Sequence, residues 1–363
     1  MDDAESTRIP RNPGELTAAW LAAVLGEDEP APVDRVAVAP IGTGQTGATY
    51  RLTVDYRSPT DLPDTFVAKL PAQDDSVRAG VTLGYLSEVA FYARVAHRTR
   101  VPVPRCHHSA VNDDGSEFVL LLDDLDPALP GDQVAGCDES VARRAVTALA
   151  GLHGPTWCDP AWLALPVGAM PKPGDTAAAD GLGQVTALAA PITLERFGDA
   201  LDATDRETLS AAMDLMTPWL LTDTGRYSLM HGDYRLDNLL FDADRTFVVD
   251  WQTLGVGLPA RDLAYFLGTC LDPDQRAESE VRLVDAYHAA LVHHGVRDYD
   301  RDTCLRDYRL GMLQGPLIIA LATAFAATTE RGDALFRVML RRCCRAIREL
   351  GTLELLRGGS PPA

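Results

Sequence analysis

Two oxygen-bearing side chains in residues 229–251, Asn238 and Asp250, have the spacing of a metal site. The segment contains two short apolar runs, residues 239–241 and 246–249, joined by the polar turn DADR. Pairing the runs as a β-hairpin turns the chain back on itself and places Asn238 and Asp250 within about 4.5–5.5 Å, give or take one register step. An amide oxygen beside a carboxylate suits Mg²⁺, which commonly takes few protein ligands besides substrate phosphates. The segment therefore predicts a magnesium site.

A second carboxylate, Asp233, precedes Asn238 by five residues on the same predicted loop. Beside a metal-bound phosphate it could accept the proton of an attacking hydroxyl group. Taken singly, Asp233 and Asp250 would more often be turn residues or solvated acids. Their joint arrangement is what indicates a site for the transfer of a group to a hydroxyl.

Lys69 is one of only two lysines in the chain, and it lies in the β-rich run TFVAKL. Glu88 lies on a predicted helix, where it shares a face with Tyr85 and Tyr92. Burying an unpaired carboxylate costs several kcal/mol, so a basic partner is expected, and Lys69 is the candidate. The pair would hold the ammonium where it can clamp the α- and β-phosphates of a nucleotide. An exposed strand lysine and a solvated glutamate are the alternatives.

Gly42, Gly44 and Gly47 form the pattern G-x-G-x-x-G, whose glycines let backbone amides approach a phosphate closely. A dinucleotide-binding fold needs a helix that opens at the last glycine, but residues 48–56 alternate like a strand. The pattern therefore predicts a hairpin turn that lies over phosphates. A glycine-rich hairpin without a ligand is the alternative.

The elements that would position these residues form a β-rich front and an α-rich back. Residues 33–39 and 49–56 alternate as strands do, and residues 67–70 and 117–122 are short apolar runs. With one helix over residues 82–97, they predict a mostly antiparallel sheet. The first third of the chain would thus be a sheet with a single helix.

From Asp138 onward the pattern becomes helical, starting with a helix that Asp138 caps and Gly154 ends. Residues 155–205 are rich in proline, glycine and alanine and predict an irregular insertion. An α+β protein with two lobes follows, residues 1–125 and residues 126–363. Further helices are predicted over residues 206–221, 261–271, 277–294, 304–327 and 333–350.

These motifs resemble those of the aminoglycoside phosphotransferase and choline kinase superfamily, a branch of the protein-kinase-like fold, over roughly residues 40–270. The family's catalytic-loop pattern, H-G-D-x-x-x-x-N, is matched at residues 231–238, and its metal-binding D-W at residues 250–251. The spacing of Lys69 and Glu88, 19 residues, is also similar to that of the nucleotide lysine and its helix glutamate in such kinases. The loop variant is similar to that of bacterial phosphotransferase-family proteins and of kinase domains associated with acyl-CoA dehydrogenases.

The resemblance also implies roles for residues outside these motifs. Leu122 would lie beside the adenine, and the Asp123 carbonyl and the Leu125 amide would bond its edge at the hinge between the lobes. Asp262 would brace the catalytic loop. Protein-kinase features are otherwise missing, since no A-P-E segment follows the D-W motif and Gly232 replaces the usual arginine. A small-molecule acceptor is therefore expected.

The activity implied by the resemblance is transfer of the γ-phosphoryl group of ATP to a hydroxyl of a small molecule, with ATP and Mg²⁺ as cofactors. The expected acceptors are amino sugars, choline-like alcohols, hydroxy acids or acyl derivatives. Asp233, Asn238 and Asp250 would be catalytic, and Asn238 and Asp250 would hold the metal. The nucleotide-binding residues would be Gly42, Gly44, Gly47, Lys69, Glu88, Leu122, Asp123 and Leu125.

Two other functions are compatible with parts of the sequence. One is a nucleotide-binding pseudokinase that acts through partners, although no core catalytic position is missing. The other is a NAD-dependent oxidoreductase, which would rest on the glycine pattern alone. Neither the acceptor nor the oligomeric state can be predicted from these motifs.

Composition excludes several other classes of protein. The formal net charge is −19, from 33 basic and 52 acidic residues, which argues against nucleic acid as a partner. The longest mostly apolar run, residues 317–327, is far shorter than the ~20 residues of a membrane span. The seven cysteines have no C-x-x-C spacing and are expected to be reduced thiols. The acidic amino terminus is followed by no apolar segment, so a cytoplasmic protein is expected.

Overall fold

The computed structural model describes residues 8–26, 29–42, 47–168, 170–222, 224–325 and 329–358, which form two compact units. The first unit consists of Met1–Ala96 and Val103–Pro127, and the second consists of His97–Pro102 and Ala128–Ala363. The first unit carries the largest sheet of the described chain, and the second is mostly helical. The predicted α+β class is therefore confirmed.

A five-stranded antiparallel sheet with the strand order β1-β2-β3-β5-β4 is the centre of the first unit. Leu52, Phe66 and Leu121 are completely buried on one face, where they pack in the same core as Trp20 and Leu21. Along β3, buried residues alternate with half-buried ones, and this alternation made the strand pattern visible in the sequence. The strands are β1 (Val33–Ile41), β2 (Gly47–Tyr56), β3 (Thr65–Pro71), β4 (Cys106–Val111) and β5 (Phe118–Asp123).

The helices of the first unit differ from the prediction in two ways. They are α1 (Ala18–Leu25), α2 (Asp75–Gly80) and α3 (Thr82–Ala90). The predicted helix over residues 82–97 is wrong in its second half, because the chain continues as a π-helical turn, Phe91–Val95, and a 3₁₀ turn, Ala96–Arg98. Phe91 and Val95, four residues apart on this wider turn, are both fully buried. The prediction of a single helix is also wrong, since α1 and α2 were not predicted, and the sequence of α1, AAWLAAVL, is apolar on every face.

The second unit begins with a short strand, β6 (Leu129–Pro130), and contains ten helices among the described residues. The capping prediction is confirmed, since the Asp138 carboxylate accepts a hydrogen bond from the Val141 amide at 2.8 Å. The helices are α4 (Glu139–His153), α5 (Thr176–Phe197), α6 (Ala203–Asp214), α7 (Met216–Leu220), α8 (Ala260–Cys270), α9 (Pro273–His293), α10 (Arg301–Leu310), α11 (Gln314–Phe325), α12 (Glu330–Glu349) and α13 (Thr352–Leu356).

The predicted irregular insertion, residues 155–205, is wrong over α5, a helix of 22 residues. Its glycines and Pro191 concealed the helical pattern. Gly183 serves packing rather than flexibility, because a Cβ atom there would lie 1.9 Å from the Thr217 hydroxyl oxygen of α7. The small residues of α5 therefore let it approach its neighbours closely.

Two predicted helices are interrupted in the structure. Residues 206–221 divide between α6 and α7, and residues 304–327 divide between α10 and α11 with the 3₁₀ turn Gly311–Leu313 between them. A Cβ atom at Gly311 would lie 2.5 Å from the Ala260 carbonyl of α8. By length and composition alone, Arg301–Phe325 could cross a membrane, but 72% of its most apolar window is buried inside the protein. Burial of this kind is typical of a core helix.

Two small sheets of the second unit hold the chemistry-bearing loops. The predicted hairpin is confirmed as β8 (Leu239–Phe241) and β9 (Thr246–Val248), with Leu239 opposite Val248. Strand β6 pairs with the other edge of β8. Strands β7 (Ser228–Met230) and β10 (Gly255–Gly257) pair with each other. The loop after β7 therefore starts from a paired strand and ends in another.

Candidate active site

Asn238 and Asp250 lie at the open end of the β8–β9 hairpin. The Val249 amide donates to the Asn238 carbonyl at 3.0 Å, so Asp250 follows the residue that pairs with Asn238. The observed pairing differs by one residue from a pairing of Asn238 with Asp250, and the prediction allowed for one such step. Asp250 has φ 66° and ψ 72°, a left-handed backbone conformation that residues other than glycine rarely adopt. Such a residue at a strand end points to a functional constraint on its backbone.

The Asp233 carboxylate accepts hydrogen bonds from three side chains. Its Oδ1 accepts from the Tyr265 hydroxyl at 2.7 Å. Its Oδ2 accepts from Arg235 Nε at 3.1 Å and from Asn238 Nδ2 at 3.0 Å. Arg235 also donates from Nη1 to Asp237 at 2.8 Å. The carboxylate is thus held in one orientation by Arg235 and Asn238 of the loop and by Tyr265 of α8.

The protonation of two of these donors follows from their surroundings. Burial disfavours the charge of Arg235, but the Asp233 and Asp237 carboxylates outweigh this effect and raise its pKa above the ordinary value. Burial, and then the negative charge of Asp233, raise the pKa of Tyr265 well above the ordinary value. Arg235 is therefore a cation and Tyr265 a neutral donor at physiological pH.

The backbone of the loop after β7 is held by Asp262, which lies in the first turn of α8. Its Oδ2 accepts from the His231 amide at 2.6 Å and its Oδ1 from the Gly232 amide at 2.9 Å. Asp262 is completely buried and also lies 3.2 Å from His153 Nε2. This is the bracing contact that the sequence resemblance implied. On the carbonyl side, Gln314 Nε2 donates to the Gly232 carbonyl at 2.9 Å.

Glycine is required at position 232 for two reasons. Its φ is 83°, and a Cβ atom would lie 2.4 Å from the Thr253 carbonyl oxygen.

The imidazole of His231 has a defined tautomer. Its Nε2 lies 3.0 Å from the Val249 carbonyl, which can only accept, so Nε2 carries the hydrogen. Its Nδ1 can then accept from the Asp233 amide at 3.3 Å. The conformation of Gly232 and the side chain of His231 therefore position Asp233 together.

The Lys69–Glu88 ion pair, which was predicted within the first unit, is confirmed. Lys69 Nζ lies 2.7 Å from Glu88 Oε2 and 2.9 Å from Oε1. The Glu88 side chain is 1% exposed and the Lys69 side chain 13% exposed. Lys69 lies on β3, opposite Thr49 on one side and Leu120 on the other. The alternatives of an exposed lysine and a solvated glutamate are wrong.

The glycine pattern joins the first two strands, as predicted. Gly42 follows β1 with φ 74°, Gly47 begins β2, and Gly44 lies outside the described residues. The chain after Gly47 is a strand and not the helix that a dinucleotide-binding fold needs. A cavity of about 310 Å³ lies between these hairpin ends and the segment that contains Gln73 and Asp74. The structure thus removes the local support for the oxidoreductase alternative.

The predicted hinge residues lie at the end of β5. Leu122 is buried, whereas Asp123 and Leu125 are half-buried. The Asp123 amide donates to the Arg105 carbonyl at 2.9 Å, and the Asp123 carboxylate lies 2.7 Å from His107 Nε2. These contacts hold the segment within the first unit. The contacts to adenine proposed for its backbone stay a prediction.

The donor chemistry at Asn238 and Asp250 fits Mg²⁺. Asn238 uses Nδ2 to donate to the Asp233 carbonyl at 2.8 Å and to the Asp233 carboxylate at 3.0 Å. Its Oδ1 is thereby turned away from Asp233 and is the atom that a hard cation would bind. No group of three or more His, Cys, Asp or Glu side chains able to hold a metal ion occurs among the described residues. A metal here would depend on the amide oxygen, Asp250 and substrate phosphates.

Sequence reasoning missed the donors that reach the loop from distant segments. Tyr265 lies three residues after Asp262, so it occupies the same face of α8, and this spacing was a usable signal. Gln133 accepts from the Leu236 amide at 2.9 Å, and Gln314 donates to the Gly232 carbonyl. These partners lie 103 and 82 residues apart along the chain, and no local sequence pattern links them. Such contacts are visible only in the folded protein.

Comparisons with known proteins agree with this fold. Solved structures similar to the chain include a choline kinase from Cryptosporidium parvum Iowa II, with 10% identity, a TM-score of 0.53, and coverage of 89% of this chain and 91% of that one. The GDP complex of wild-type aminoglycoside 2′-phosphotransferase-IIIa has 16% identity, a TM-score of 0.53, and coverage of 85% and 92%. Plasmodium vivax ethanolamine kinase has 12% identity, a TM-score of 0.50, and coverage of 85% and 82%. At these identities the likeness shows the fold alone.

The sequence itself carries the family assignment. A search of the curated proteins found no match to the chain. The family model described as Phosphotransferase enzyme family matches residues 37–302, which include the Lys69–Glu88 pair, the loop after β7 and Asp250. The match spans well over half of the 363 residues. The chain therefore belongs to the phosphotransferase enzyme family.

Proposed function

We propose that the protein transfers the γ-phosphoryl group of ATP to a hydroxyl group of a small molecule. The observation that carries the proposal is the Asp233 carboxylate, held by three donors beside Asn238 and next to the loop that Asp262 braces. A carboxylate fixed in this way, beside a pair of hard oxygen donors, is suited to accept a proton from an attacking hydroxyl.

In the proposed step, the hydroxyl group of the acceptor donates to Asp233. The acceptor's O–H bond breaks and its proton passes to the carboxylate. The acceptor's oxygen forms a bond to the γ-phosphorus, and the bond from that phosphorus to the bridging oxygen of ADP breaks. ADP and the phosphorylated acceptor leave, and Asp233 returns its proton to solvent. The protein contributes positioning and charge rather than a covalent intermediate.

Charge on the nucleotide has two proposed partners. Lys69, held by Glu88, would contact the α- and β-phosphates, because its ammonium is fixed on the central strand β3. Asn238 Oδ1 and the Asp250 carboxylate would hold Mg²⁺, which supplies positive charge to the phosphates when it is bound. We assign Gly42 and Gly47 to the hairpin above the phosphates.

The acceptor is proposed only as a class. Solved structures with the same fold include a choline kinase, an ethanolamine kinase and an aminoglycoside phosphotransferase, so amino alcohols and amino sugars are the first candidates. Hydroxy acids and acyl derivatives come next, from the resemblance of the catalytic loop. The net charge of −19 is spread over the whole chain and does not discriminate among these acceptors.

Thermal unfolding with different nucleotides separates the candidate functions before an acceptor is known. The wild-type protein is heated alone, with ATP, with ATP plus Mg²⁺, and with NADH. Ligand at a hundredfold excess over Kd adds roughly 2.7 kcal/mol to the stability of the folded state, which raises Tm by a few degrees. We expect the largest rise with ATP plus Mg²⁺ and none with NADH. A rise with NADH and none with ATP would contradict the proposal.

A panel of acceptors then distinguishes a kinase from a pseudokinase. Consumption of Mg²⁺-ATP is measured with choline, ethanolamine, kanamycin and 3-hydroxybutyrate, each against a reaction without acceptor. Acceptor-dependent consumption supports the proposal. Binding of Mg²⁺-ATP without consumption for any member of a widened alcohol panel would favour the pseudokinase.

A further inference from the structure

Helix α8 contacts the catalytic loop, residues 231–238, at successive positions along one face. Asp262 accepts from two backbone amides of the loop, and Tyr265, three residues later, donates to the Asp233 carboxylate. Another turn along, Thr269 accepts from Gln133, which itself accepts from an amide of the loop. Residues spaced by three and four lie on the same side of a helix. One side of α8 therefore holds the backbone directly before Asp233 and the Asp233 carboxylate itself.

Tyr265 is well suited to a fixed contact because it is buried on a fully buried helix. Its side chain is 1% exposed, and every residue of α8 is buried. Its hydroxyl lies 2.7 Å from Asp233 Oδ1, a short distance typical of a hydrogen bond to a charged acceptor. A phenol ring has few rotatable bonds, so the direction of this hydroxyl is set by the helix.

The donors on Asp233 are distributed unequally between its two oxygens. A carboxylate has about two lone-pair positions on each oxygen. Arg235 Nε and Asn238 Nδ2 both donate to Oδ2, whereas Tyr265 donates to Oδ1. Among the described residues, Oδ1 thus has one donor and Oδ2 has two. Oδ1 is the oxygen that can still receive a further hydrogen bond without losing one.

We propose that Tyr265 is a positioning residue that orients the Asp233 carboxylate so that Oδ1 receives the proton of the acceptor hydroxyl. The inference rests on the proposed function, in which Asp233 accepts that proton. Tyr265 keeps its own proton throughout, since it donates to Oδ1 before and after the transfer. The acceptor's oxygen therefore lies close to the Tyr265 hydroxyl during the step.

The test compares two tyrosine-to-phenylalanine variants. Tyr265→Phe removes one oxygen and its hydrogen bond to Asp233. Tyr308→Phe is the matched control, because Tyr308 is also 1% exposed and also donates to a carboxylate, Glu280, at 2.7 Å. Glu280 in turn pairs with Arg276, as Asp233 pairs with Arg235. Loss of stability should therefore be similar in the two variants.

Activity is measured with Mg²⁺-ATP and the most active member of the choline, ethanolamine, kanamycin and 3-hydroxybutyrate panel. We expect Tyr265→Phe to lower kcat roughly ten- to a hundredfold, the effect of one hydrogen bond to a charged group, with KM for ATP unchanged. Tyr308→Phe should keep the wild-type kcat. Equal kcat in the two variants would overturn the inference, since a purely structural role predicts equal behaviour.

A second measurement separates this inference from the proposed function. If the wild-type protein consumes no ATP with any acceptor, the proposed function fails, and that result does not depend on Tyr265. The inference is then judged on crystal structures of the wild type and Tyr265→Phe with Mg²⁺-ADP. A carboxylate of Asp233 that rotates in the variant supports the positioning role of Tyr265. A carboxylate with the wild-type orientation overturns it.

Discussion

At the scale of single residues, each chemistry-bearing side chain has a partner that limits what it can do. The Lys69 ammonium is held 2.7 Å from Glu88, which is almost completely buried, and Asp233 accepts from Tyr265, Arg235 and Asn238. Burying an ion pair this deeply has a desolvation free energy that offsets the attraction between the charges. The pair therefore contributes a fixed position for the ammonium rather than stability. Function and stability should therefore respond differently when the pair is changed.

A double-mutant cycle on the ion pair tests this separation. Glu88→Leu leaves the Lys69 ammonium beside an apolar side chain, and Lys69→Met leaves the Glu88 carboxylate buried without its cation. We expect each single variant to lose about 3 kcal/mol of unfolding free energy, because an uncompensated buried charge remains. Lys69→Met combined with Glu88→Leu should recover most of this stability. Chemical denaturation measures the four proteins.

We also expect the same four proteins to differ in nucleotide binding. All three variants should bind Mg²⁺-ATP more weakly than the wild type, including the double variant whose stability recovers. Isothermal titration with Mg²⁺-ATP measures the affinity. A double variant that binds ATP as the wild type does would show that Lys69 does not contact the phosphates.

At the scale of elements, the loop after β7, residues 231–238, owes its shape to backbone contacts with its neighbours. Gly232 has a left-handed conformation with the Thr253 carbonyl 2.4 Å from where a Cβ atom would lie. Asp262 of α8 accepts from the His231 and Gly232 amides, and Gln314 of α11 donates to the Gly232 carbonyl. These contacts hold the loop in its bent shape without a ligand.

Glycine-to-alanine substitutions at two positions should have opposite effects. Gly232→Ala introduces both a strained φ and a steric clash, and we expect it to lower the unfolding free energy by at least about 2 kcal/mol and to reduce activity. Gly181 lies on an exposed part of α5 with no atom within 4 Å of its added Cβ. Gly181→Ala should raise stability by about 0.5–1 kcal/mol. Urea denaturation of both variants checks the signs, and a neutral Gly232→Ala would contradict this account of the loop.

Elements with local signals were predictable from the sequence, and elements that depend on distant contacts were not. The Asp138 cap and the β8–β9 hairpin have their signals within a few residues. The interruption at Gly311 depends on the Ala260 carbonyl of α8, about fifty residues earlier, and the close packing of α5 depends on Thr217. These partners come together only through tertiary packing, which overrides the local pattern.

The same distinction applies to the candidate site. The Lys69–Glu88 pair was predictable because a glutamate among apolar helix positions needs a nearby cation. Tyr265 was not predicted, although its contact with Asp233 spans only 32 residues, because a buried tyrosine on an apolar helix has an ordinary packing explanation. The three-residue spacing from Asp262 was the signal that could have identified it, and the contact of its hydroxyl with the carboxylate is seen in the folded protein.

At the scale of the whole molecule, the expectation that the cysteines are reduced thiols agrees with the structure, in which all seven are free. The adjacent Cys343 and Cys344, together with Cys270 and Cys304, are buried, as expected for core packing. Burial raises the pKa of Cys270 to about 11 and that of Cys304 to about 12. The Cys270 and Cys304 thiols are therefore protonated and shielded in the folded protein.

Thiol labelling with Ellman's reagent tests this description across the whole chain. Without reductant, we expect seven reactive thiols in denaturant. In the native state at pH 8, the four buried thiols should react only as the protein unfolds, so that the fast phase contains at most the three half-buried ones, Cys106, Cys137 and Cys158. Fewer than seven thiols in denaturant would indicate a disulfide and would contradict the structure.

The central claim is that Asp233 accepts the acceptor's proton, and one comparison tests it most directly. Acceptor-dependent consumption of Mg²⁺-ATP is measured for the wild type, Asp233→Asn and the control Asp244→Asn, which makes the same chemical change at an exposed position of the β8–β9 turn. We expect Asp233→Asn to lose roughly 10²- to 10⁴-fold in kcat while Mg²⁺-ATP raises its Tm as in the wild type. The control should keep full activity. Undiminished turnover by Asp233→Asn would contradict the proposed mechanism.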